Sequence, residues 1–323
     1  MIRTHELTRD FRVGKDTVEA VRGVDMEVVE GELVALLGPN GAGKSTTLRM
    51  LTTLLEPTSG TAVVAGHDVR AEPAEVRRRI GFVGQGHSGA DDQRARDELH
   101  YQGRLYGLDR RTARSRTDEL LEMLDLTAVA DRETTTLSGG QRRRLDIAMG
   151  LIHRPGLLFL DEPSTGLDPQ SRADLWEHVA RLRSEYGTTV VLTTHYLEEA
   201  DNAAERVLVI DHGRLIADGT PDELKGRVSG DLIRFTLDET HLAEKAAEVA
   251  ATLSDGAVPE VTEVEASGAE VALRVERGDA FLPGLLRALD ESGVQPSSVQ
   301  VQRPTLDDVF LTLTGRSLRE EGR

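Results

Sequence analysis

Short apolar runs recur along the first two thirds of the chain, and each is bounded by polar or glycine-rich residues. Runs of about four to eight residues with such boundaries are typical of buried strands. They lie at residues 33–37, 80–85, 157–162 and 188–195. Helical periodicity is found at residues 46–51, 73–79 and 94–126. We therefore predict an α/β fold, preceded by a small β-rich segment over residues 1–37 in which apolar residues partly alternate.

The helical stretch at residues 94–126 carries large apolar side chains near its end. They are Leu120, Leu121, Met123, Leu124 and Leu126. A helix in a globular protein buries such a stripe against a neighbouring element. We expect these residues to form a helical lobe of their own.

The pattern changes after residue 225. Strands are predicted at residues 231–237, 258–264, 271–275 and 299–301, and helices at 242–253 and 280–292. This βαββαβ order predicts a small ferredoxin-like α+β domain over residues 226–315. A last helix begins with a capping box of Thr305 and Asp308, carries Leu306, Val309, Phe310 and Leu313, and stops at Gly315. Its apolar stripe fits packing within the chain or a dimer contact equally well, and residues 316–323 form a charged tail.

Composition narrows the function classes. The formal net charge of −17 disfavours a nucleic-acid binder and direct attraction to an anionic membrane surface. The chain has no cysteine, which excludes disulfides and thiolate chemistry. No apolar run approaches the roughly 20 residues of a membrane-spanning helix, and the N-terminus is not a secretory signal. We expect a soluble cytoplasmic chain whose link to a membrane runs through a protein partner.

A glycine-rich loop joins the strand at residues 33–37 to the following helix. Its pattern, Gly38-x4-Gly43-Lys44-Ser45, is that of a phosphate-binding loop. Backbone N–H groups and the helix N-terminus would hold phosphate oxygens, with Lys44 on the outer phosphates and the Ser45 hydroxyl on Mg²⁺. The alternative is a chance glycine-rich turn, which the strand and helix on either side disfavour.

Polar residues stand at the ends of three of the predicted strands. Asp161 and Glu162 end one strand, Gln85 another and His195 a third. In phosphate-loop enzymes such an aspartate holds Mg²⁺, and a neighbouring acid can deprotonate the attacking water. Each of these residues also has a simpler interpretation when it is taken alone. The two acids could merely solvate a strand end, Gln85 could be a surface residue, and His195 could be structural.

Two further features have a functional and a structural interpretation. The segment Ser138-Gly139-Gly140-Gln141 opens a helix, where it could bind an anion or serve only as an N-cap. The arginines at 142–144 that follow it are expected to be solvated or salt-bridged. Phe11 is the aromatic residue that precedes the phosphate loop, and it could stack on an adenine or lie in a half-buried strand.

Taken in order, these motifs resemble those of the nucleotide-binding subunits of ATP-binding cassette (ABC) transporters over about the first 225 residues. Residues 304–315 are similar to the end of daunorubicin/doxorubicin-resistance-type ATP-binding subunits. The resemblance implies an ABC ATPase domain over residues 1–225, with a P-loop NTPase core, an N-terminal antiparallel β subdomain and a helical subdomain. It implies ATP and Mg²⁺ as cofactors.

The resemblance also implies a role for each matching residue. The residues that bind the phosphates would be Asn40, Gly41, Ala42, Gly43, Lys44, Ser45 and Thr46. The residues that bind the metal would be Ser45, Gln85 and Asp161. Glu162 would be the base, His195 would touch the γ-phosphate and Gln85 would sense the metal and water. The opposite subunit's site would be completed by Ser138, Gly139, Gly140 and Gln141. Asp168 would link the two sites, and Phe11 would stack on adenine.

A homodimer follows from this arrangement. The resemblance also implies an integral membrane permease as partner, which would hold this subunit at the cytoplasmic face of the cell membrane. Export of a drug or secondary metabolite is the expected function. A non-transport ABC ATPase acting on DNA or ribosomes is the alternative, disfavoured by the acidic charge, the single cassette and the lack of a long coiled-coil insertion. A phosphate-loop kinase would leave residues 137–141 without a role.

Overall fold

The computed structural model describes residues 1–86, 92–228, 230–253 and 261–315. The chain divides into two compact units, Met1–Pro221 and Asp222–Arg323. The predicted tail at 316–323 and the first three residues of the strand predicted at 258–264 lie outside the described residues.

The first unit combines strands and helices in alternation. Its strands are β1 (Ile2–Val13), β2 (Asp16–Val28), β3 (Leu33–Leu37), β4 (Ser59–Val64), β5 (His67–Asp68), β6 (Ile80–Val83), β7 (Leu157–Asp161), β8 (Thr189–Thr194), β9 (Arg206–Asp211) and β10 (Arg214–Gly219). Its helices are α1 (Lys44–Leu51), α2 (Pro73–Arg79), α3 (Ala95–Leu105), α4 (Arg110–Met123), α5 (Gly139–Leu151), α6 (Pro169–Tyr186) and α7 (Leu197–Ala203). A short helix, α8 (Pro221–Gly226), begins at the last residue of this unit.

A six-stranded sheet forms the centre of this unit, with the order β10-β9-β3-β8-β7-β6. The neighbours from β9 to β6 are parallel, and β10 pairs antiparallel at the edge. Every residue of β3, β7 and β8 is buried, which explains their uninterrupted apolar runs. The carboxyl ends of parallel strands meet at one edge of a sheet, where ligands bind in open α/β folds.

A second sheet, β2-β1-β4-β5, is antiparallel and confirms the predicted N-terminal β subdomain. Its buried residues share one apolar cluster with α1 and the central sheet. That cluster includes Val21, Val24 and Val64 of the antiparallel sheet, Leu48 of α1, and Leu36 and Phe159 of the central sheet. The N-terminal sheet therefore packs onto the elements that carry the glycine-rich loop.

The helical lobe consists of α3, α4 and the start of α5. Asp109 caps α4 by accepting hydrogen bonds from the amides of Arg111 (2.8 Å) and Thr112 (3.1 Å). The stripe predicted near the end of α4 is buried at each of its positions, Leu120, Leu121, Met123, Leu124 and Leu126.

A buried histidine in this unit, His153, has a pKa well below the ordinary value. His153 Nε2 donates a hydrogen bond to the carbonyl of Ile80 (3.0 Å), and its ring stacks on Tyr106 with centroids 3.8 Å apart. Burial lowers the pKa of His153 to about 4; the nearby Arg116 lowers it further and the Ile80 carbonyl opposes both. The imidazole is therefore neutral in the folded chain at pH 7.

Acidification is expected to destabilise the first unit through His153. Its pKa is about 4 when folded and about 6.5 when unfolded, so its contribution is complete above pH 6.5 and lost as the pH falls toward 4. We expect a loss of about 1–2 kcal/mol in the free energy of unfolding between pH 7 and pH 5. His153→Gln should remove that part of the pH dependence.

Urea unfolding at the two pH values checks this prediction. Trp176 is the single tryptophan and lies in α6, so its fluorescence reports the first unit. His5→Gln is the control, because the His5 side chain is 79% exposed. An equal pH dependence in His153→Gln and the native chain would show that His153 does not carry the effect.

The second unit is a ferredoxin-like α+β domain, as predicted. Its elements are β11 (Asp231–Leu237), α9 (Ala243–Thr252), β12 (Val261–Ser267), β13 (Glu270–Val275), α10 (Gly278–Glu291), β14 (Pro296–Gln302) and α11 (Leu306–Thr314). The sheet is antiparallel with the order β12-β13-β11-β14. Phe235 of β11, Leu273 of β13, and Phe281 and Leu285 of α10 share its core.

The last helix, α11, has the predicted capping box: Thr305 Oγ1 accepts from the amide of Asp308 (3.3 Å), and Asp308 Oδ2 accepts from that of Thr305 (2.8 Å). Leu306, Val309 and Phe310 are buried within the single chain, whereas Leu313 is 47% exposed. The apolar stripe of α11 is therefore largely satisfied by packing within one chain, and Leu313 does not belong to its buried face. In the described part of the chain, no helix is both long and apolar enough to span a membrane.

Candidate active site

The glycine-rich loop runs from β3 into α1 in a tight turn. Gly43 has φ 104°, and a Cβ there would lie 2.5 Å from the carbonyl oxygen of Ala20, so a larger residue does not fit. The helical hydrogen bonds of α1 begin with the amide of Thr47 on the carbonyl of Gly43 (2.9 Å). The amides of Lys44, Ser45 and Thr46 therefore precede that ladder, as in helix N-termini that bind phosphate.

Lys44 is held inside this loop. Its Nζ donates to the carbonyl oxygens of Gly38 (2.7 Å) and Pro39 (3.0 Å). The side chain is 4% exposed, and Nζ lies 3.7 Å from Oε1 of Glu162. Burial lowers the pKa of Lys44, while the charges of Glu162 and Asp161 act in the opposite direction. The compact ammonium is thus anchored where the loop closes.

Oxygen atoms from three elements converge beside the loop. Asp161 Oδ1 accepts hydrogen bonds from Ser45 Oγ (2.8 Å) and from Thr193 Oγ1 (2.7 Å). Gln85 Nε2 donates to the same Ser45 Oγ (3.2 Å), and turning the amide over would present its Oε1 instead. A hydroxyl, a carboxylate and an amide oxygen are ligands that suit Mg²⁺. These side chains therefore fit the predicted metal.

Glu162 adopts an unusual backbone conformation at the end of β7. Its φ is 45°, in the left-handed region that residues other than glycine seldom occupy. Its amide donates to Thr193 Oγ1 (2.9 Å), and Oε1 lies 3.5 Å from His195 Nδ1. Glu162 therefore lies between Lys44 and His195, so the structure brings the residues predicted from three strand ends and the loop into one cluster.

The remaining predicted site residues lie in two helix caps and in a strand. Ser138 Oγ accepts from the amide of Gln141 (3.3 Å) while Gln141 Oε1 accepts from that of Ser138 (3.0 Å), which makes a capping box at α5. Asp168 caps α6 by accepting from the amide (3.0 Å) and hydroxyl (2.7 Å) of Ser171, and these bonds lower its pKa.

These residues do not join the cluster around Lys44 within the single chain. The caps make their hydrogen bonds internally, and a Cβ on Gly140 would lie 2.7 Å from Ser171 Oγ, so the two helix starts pack together. Phe11 lies in β1 opposite Val18, with the guanidinium of Arg9 4.7 Å from its ring centroid. The structure leaves adenine stacking on Phe11 a prediction.

Sequence reasoning missed two buried charged residues beside this site. Arg143, expected to be solvated or salt-bridged, is 4% exposed and lies against the ends of β6 and β7. Arg143 lies one helical turn from Gly140 and from Ile147, both buried, and this spacing could have indicated that Arg143 shares their buried face. Glu199, also 4% exposed, accepts hydrogen bonds from Ser164 and from Thr194 (2.7 Å).

Two family descriptions match this sequence. The one described as ABC transporter matches residues 21–165, and the one described as ATP-binding protein DrrA1-3-like, C-terminal domain, matches residues 219–314.

Curated relatives align over most of the chain. The daunorubicin resistance ATP-binding protein DrrA2 of Streptomyces coeruleorubidus is 48% identical, over 92% of this chain and 90% of its own length. The daunorubicin/doxorubicin resistance ATP-binding protein DrrA of Streptomyces peucetius is 43% identical, over 92% of this chain and 88% of its own.

A solved structure also matches the fold. The dimeric post-hydrolysis state of the ATP-binding cassette MJ0796, bound to ADP and Pi, covers 68% of this chain and 98% of its own, with a TM-score of 0.63 and 28% identity. Both family descriptions, the high identity over nearly the whole chain and the cassette fold agree. The chain therefore belongs to the ABC transporter family, among the ATP-binding subunits of the daunorubicin-resistance type.

Proposed function

We propose that this chain hydrolyses ATP within a homodimer and so drives the export of a drug or secondary metabolite through a separate integral membrane permease. The observation that carries the proposal is the cluster of Lys44, Ser45, Asp161, Glu162 and His195 at the carboxyl edge of the central sheet. The relatives named for daunorubicin and doxorubicin resistance support the substrate class.

In this proposal the loop holds the triphosphate. The backbone from Asn40 to Thr46 surrounds the phosphate oxygens, and Lys44 exchanges the loop carbonyls for the outer phosphates. Ser45, Asp161 and Gln85 would hold Mg²⁺, which neutralises charge on the phosphate oxygens when it is bound.

The chemical step falls to Glu162. Its carboxylate, at the end of β7, takes a proton from the attacking water. His195, whose Nδ1 lies 3.5 Å from that carboxylate, would contact the γ-phosphate. Gln85 would sense the metal and the water and pass the state of the site to the permease, and its contact with Ser45 supports this role.

A homodimer completes the site. Ser138 and Gly139 are exposed at the start of α5, and Ser138 and Gln141 bond to each other within the cap, so residues 138–141 would meet a nucleotide held by another chain rather than by their own Lys44. In a two-fold dimer each chain's α5 start can cover the nucleotide on its partner, giving two equivalent sites. Asp168, exposed at the start of α6 beside Gly140, lies where the two sites would meet.

The permease places the subunit at the cytoplasmic face of the cell membrane. The net charge of −17 supports a protein partner over nucleic acid or an anionic membrane surface. The limits of the ATPase domain, residues 1–225, and of the accessory domain, residues 226–315, remain predictions.

Co-purification from the native host distinguishes this function from the alternative. The tagged chain, extracted from membranes in mild detergent, is expected to retain an integral membrane permease, and ribosomes or DNA in its place would support a non-transport ATPase. Accumulation of the fluorescent drug daunorubicin in the cells should rise when the gene for this chain is deleted and return to normal when the gene is restored. If accumulation is unchanged although a permease is bound, daunorubicin is not the transported substrate, and the assignment as a transporter subunit still stands.

A further inference from the structure

Arg143 is a buried cation that joins α5 to the ends of two central strands. Its Nε donates to the carbonyl of Pro163 (2.7 Å), Nη1 to that of Gly84 (2.7 Å) and Nη2 to that of Asp161 (3.2 Å). The nearest carboxylate is Asp146, whose Oδ2 lies 4.0 Å from Nη1 on the same helix. Three different nitrogens of one guanidinium therefore hold the backbone of two loops.

Two of these carbonyls flank Glu162, whose backbone is in the left-handed region at φ 45°. A residue other than glycine persists in that region only where its surroundings fix it. Arg143 donates to the carbonyl of Asp161, in the peptide unit just before Glu162, and to that of Pro163, one peptide unit beyond the one that follows Glu162. One rigid group therefore holds the backbone on both sides of Glu162. The amide of Glu162 is separately held by Thr193 (2.9 Å).

The third carbonyl belongs to Gly84, the residue before Gln85. Arg143 lies two residues after Gln141, within the first two turns of α5. One side chain thus connects the helix whose start carries Ser138 with the loop that carries Gln85 and with the strand end that carries Glu162.

We propose that Arg143 is a positioning residue for ATP hydrolysis, which acts by holding the backbone of Glu162 in its left-handed conformation. Without it the backbone around Glu162 can relax toward the extended conformation that is favoured before Pro163, and the carboxylate then leaves its place between Lys44 and His195. The inference rests on the proposed role of Glu162 as the base. It predicts a loss of turnover with little change in the affinity for ATP, because Lys44 and its loop make their own contacts.

Arg143→Lys in the full chain tests the proposal. Lysine keeps the charge, but a single ammonium on a flexible stem cannot satisfy three separated carbonyls. We expect kcat for ATP hydrolysis to fall by about 10- to 100-fold, with the KM for ATP within about threefold of the native value. In a Glu162→Gln background, the same substitution should lower the residual rate by less than about threefold, because the two residues act as one unit.

Arg144→Lys is the matched control on the same helix. Arg144 donates to the carbonyl of Leu124 (3.1 Å) and contacts His178 (3.3 Å), away from the strand ends, so kcat should stay within about twofold of the native value. Trp176 fluorescence during urea unfolding shows whether each variant is folded, and Arg143→Gln provides a second substitution.

Several results would overturn the proposal. They are a native kcat in Arg143→Lys, an equal loss in the Glu162→Gln background, or a loss of folding or ATP binding in both Arg143 variants, which would make the residue purely structural. If the native chain fails to hydrolyse ATP, or if Glu162→Gln is harmless, the proposed function itself is wrong. That outcome differs from the ones above, in which the native chain hydrolyses ATP and only the role of Arg143 is wrong.

Discussion

Replacing Glu162 by glutamine is expected to leave ATP bound while kcat falls by about 10²- to 10⁴-fold, the usual contribution of a positioned general base. Glutamine has nearly the same shape and keeps an oxygen that can accept from Thr165 Oγ1, 3.3 Å from Oε2 in the native chain. It cannot take a proton from water. The substitution therefore separates the chemistry from the structure of the site.

The same substitution should stabilise the ATP-bound dimer. Glu162 lies 3.7 Å from Lys44 Nζ, so its charge competes with phosphate for the ammonium, and glutamine removes that competition. ATP affinity should be equal to or higher than that of the native chain. Because hydrolysis is blocked, ATP should convert the variant from monomer to dimer, whereas ADP should not.

Steady-state hydrolysis, ATP titration and light scattering with ATP or ADP measure these effects. Glu198→Gln is the control, since Glu198 is an exposed glutamate on α7. A kcat within threefold of the native value would remove Glu162 from the role of base. A variant that binds ATP tightly, fails to hydrolyse it and stays monomeric at high concentration would contradict the homodimer.

The sequence predicted the cluster of polar strand ends because its signal is local. Buried parallel strands read as uninterrupted apolar runs, so residues 157–162 and 188–195 marked where Asp161 and His195 would lie. The carboxyl ends of such strands meet at one edge, which explains why separate motifs converge. The ferredoxin-like order of the second unit was equally readable from strand and helix periods.

What the sequence did not predict depends on contacts between distant elements. Arg142, Arg143 and Arg144 look alike in the sequence, yet only tertiary packing supplies Arg143 with carbonyl acceptors about 20 and 59 residues away. The left-handed backbone of Glu162 was also unforeseen, because glutamate has no intrinsic preference for it. Helix α1 begins at Lys44, two residues before the predicted start, because the loop geometry rather than the apolar pattern sets that end.

Replacing Lys44 by alanine is expected to act at binding rather than at the chemical step. Lys44 is the cation held within the loop, and losing a charge-assisted hydrogen bond costs about 1.5–3 kcal/mol, or a 10- to 150-fold rise in the Kd for ATP. Truncation also leaves the carbonyls of Gly38 and Pro39 without the donor that holds them in the native chain. The loop itself should loosen, so nucleotide protection against unfolding should be lost along with affinity.

Lys44→Arg separates the effect of charge from that of size. A guanidinium keeps the positive charge but is too large and planar for the space that the Lys44 side chain, only 4% exposed, fills. Its affinity for ATP should fall nearly as far as that of Lys44→Ala. Lys15→Ala, in the exposed turn between β1 and β2, is the control and should bind as the native chain does. Titration with Mg²⁺–ATP, checked by the Trp176 unfolding midpoint without nucleotide, provides the measurement. If folded Lys44→Ala binds ATP with native affinity, the triphosphate lies elsewhere, and the roles assigned to Ser45, Asp161 and Glu162 are wrong with it.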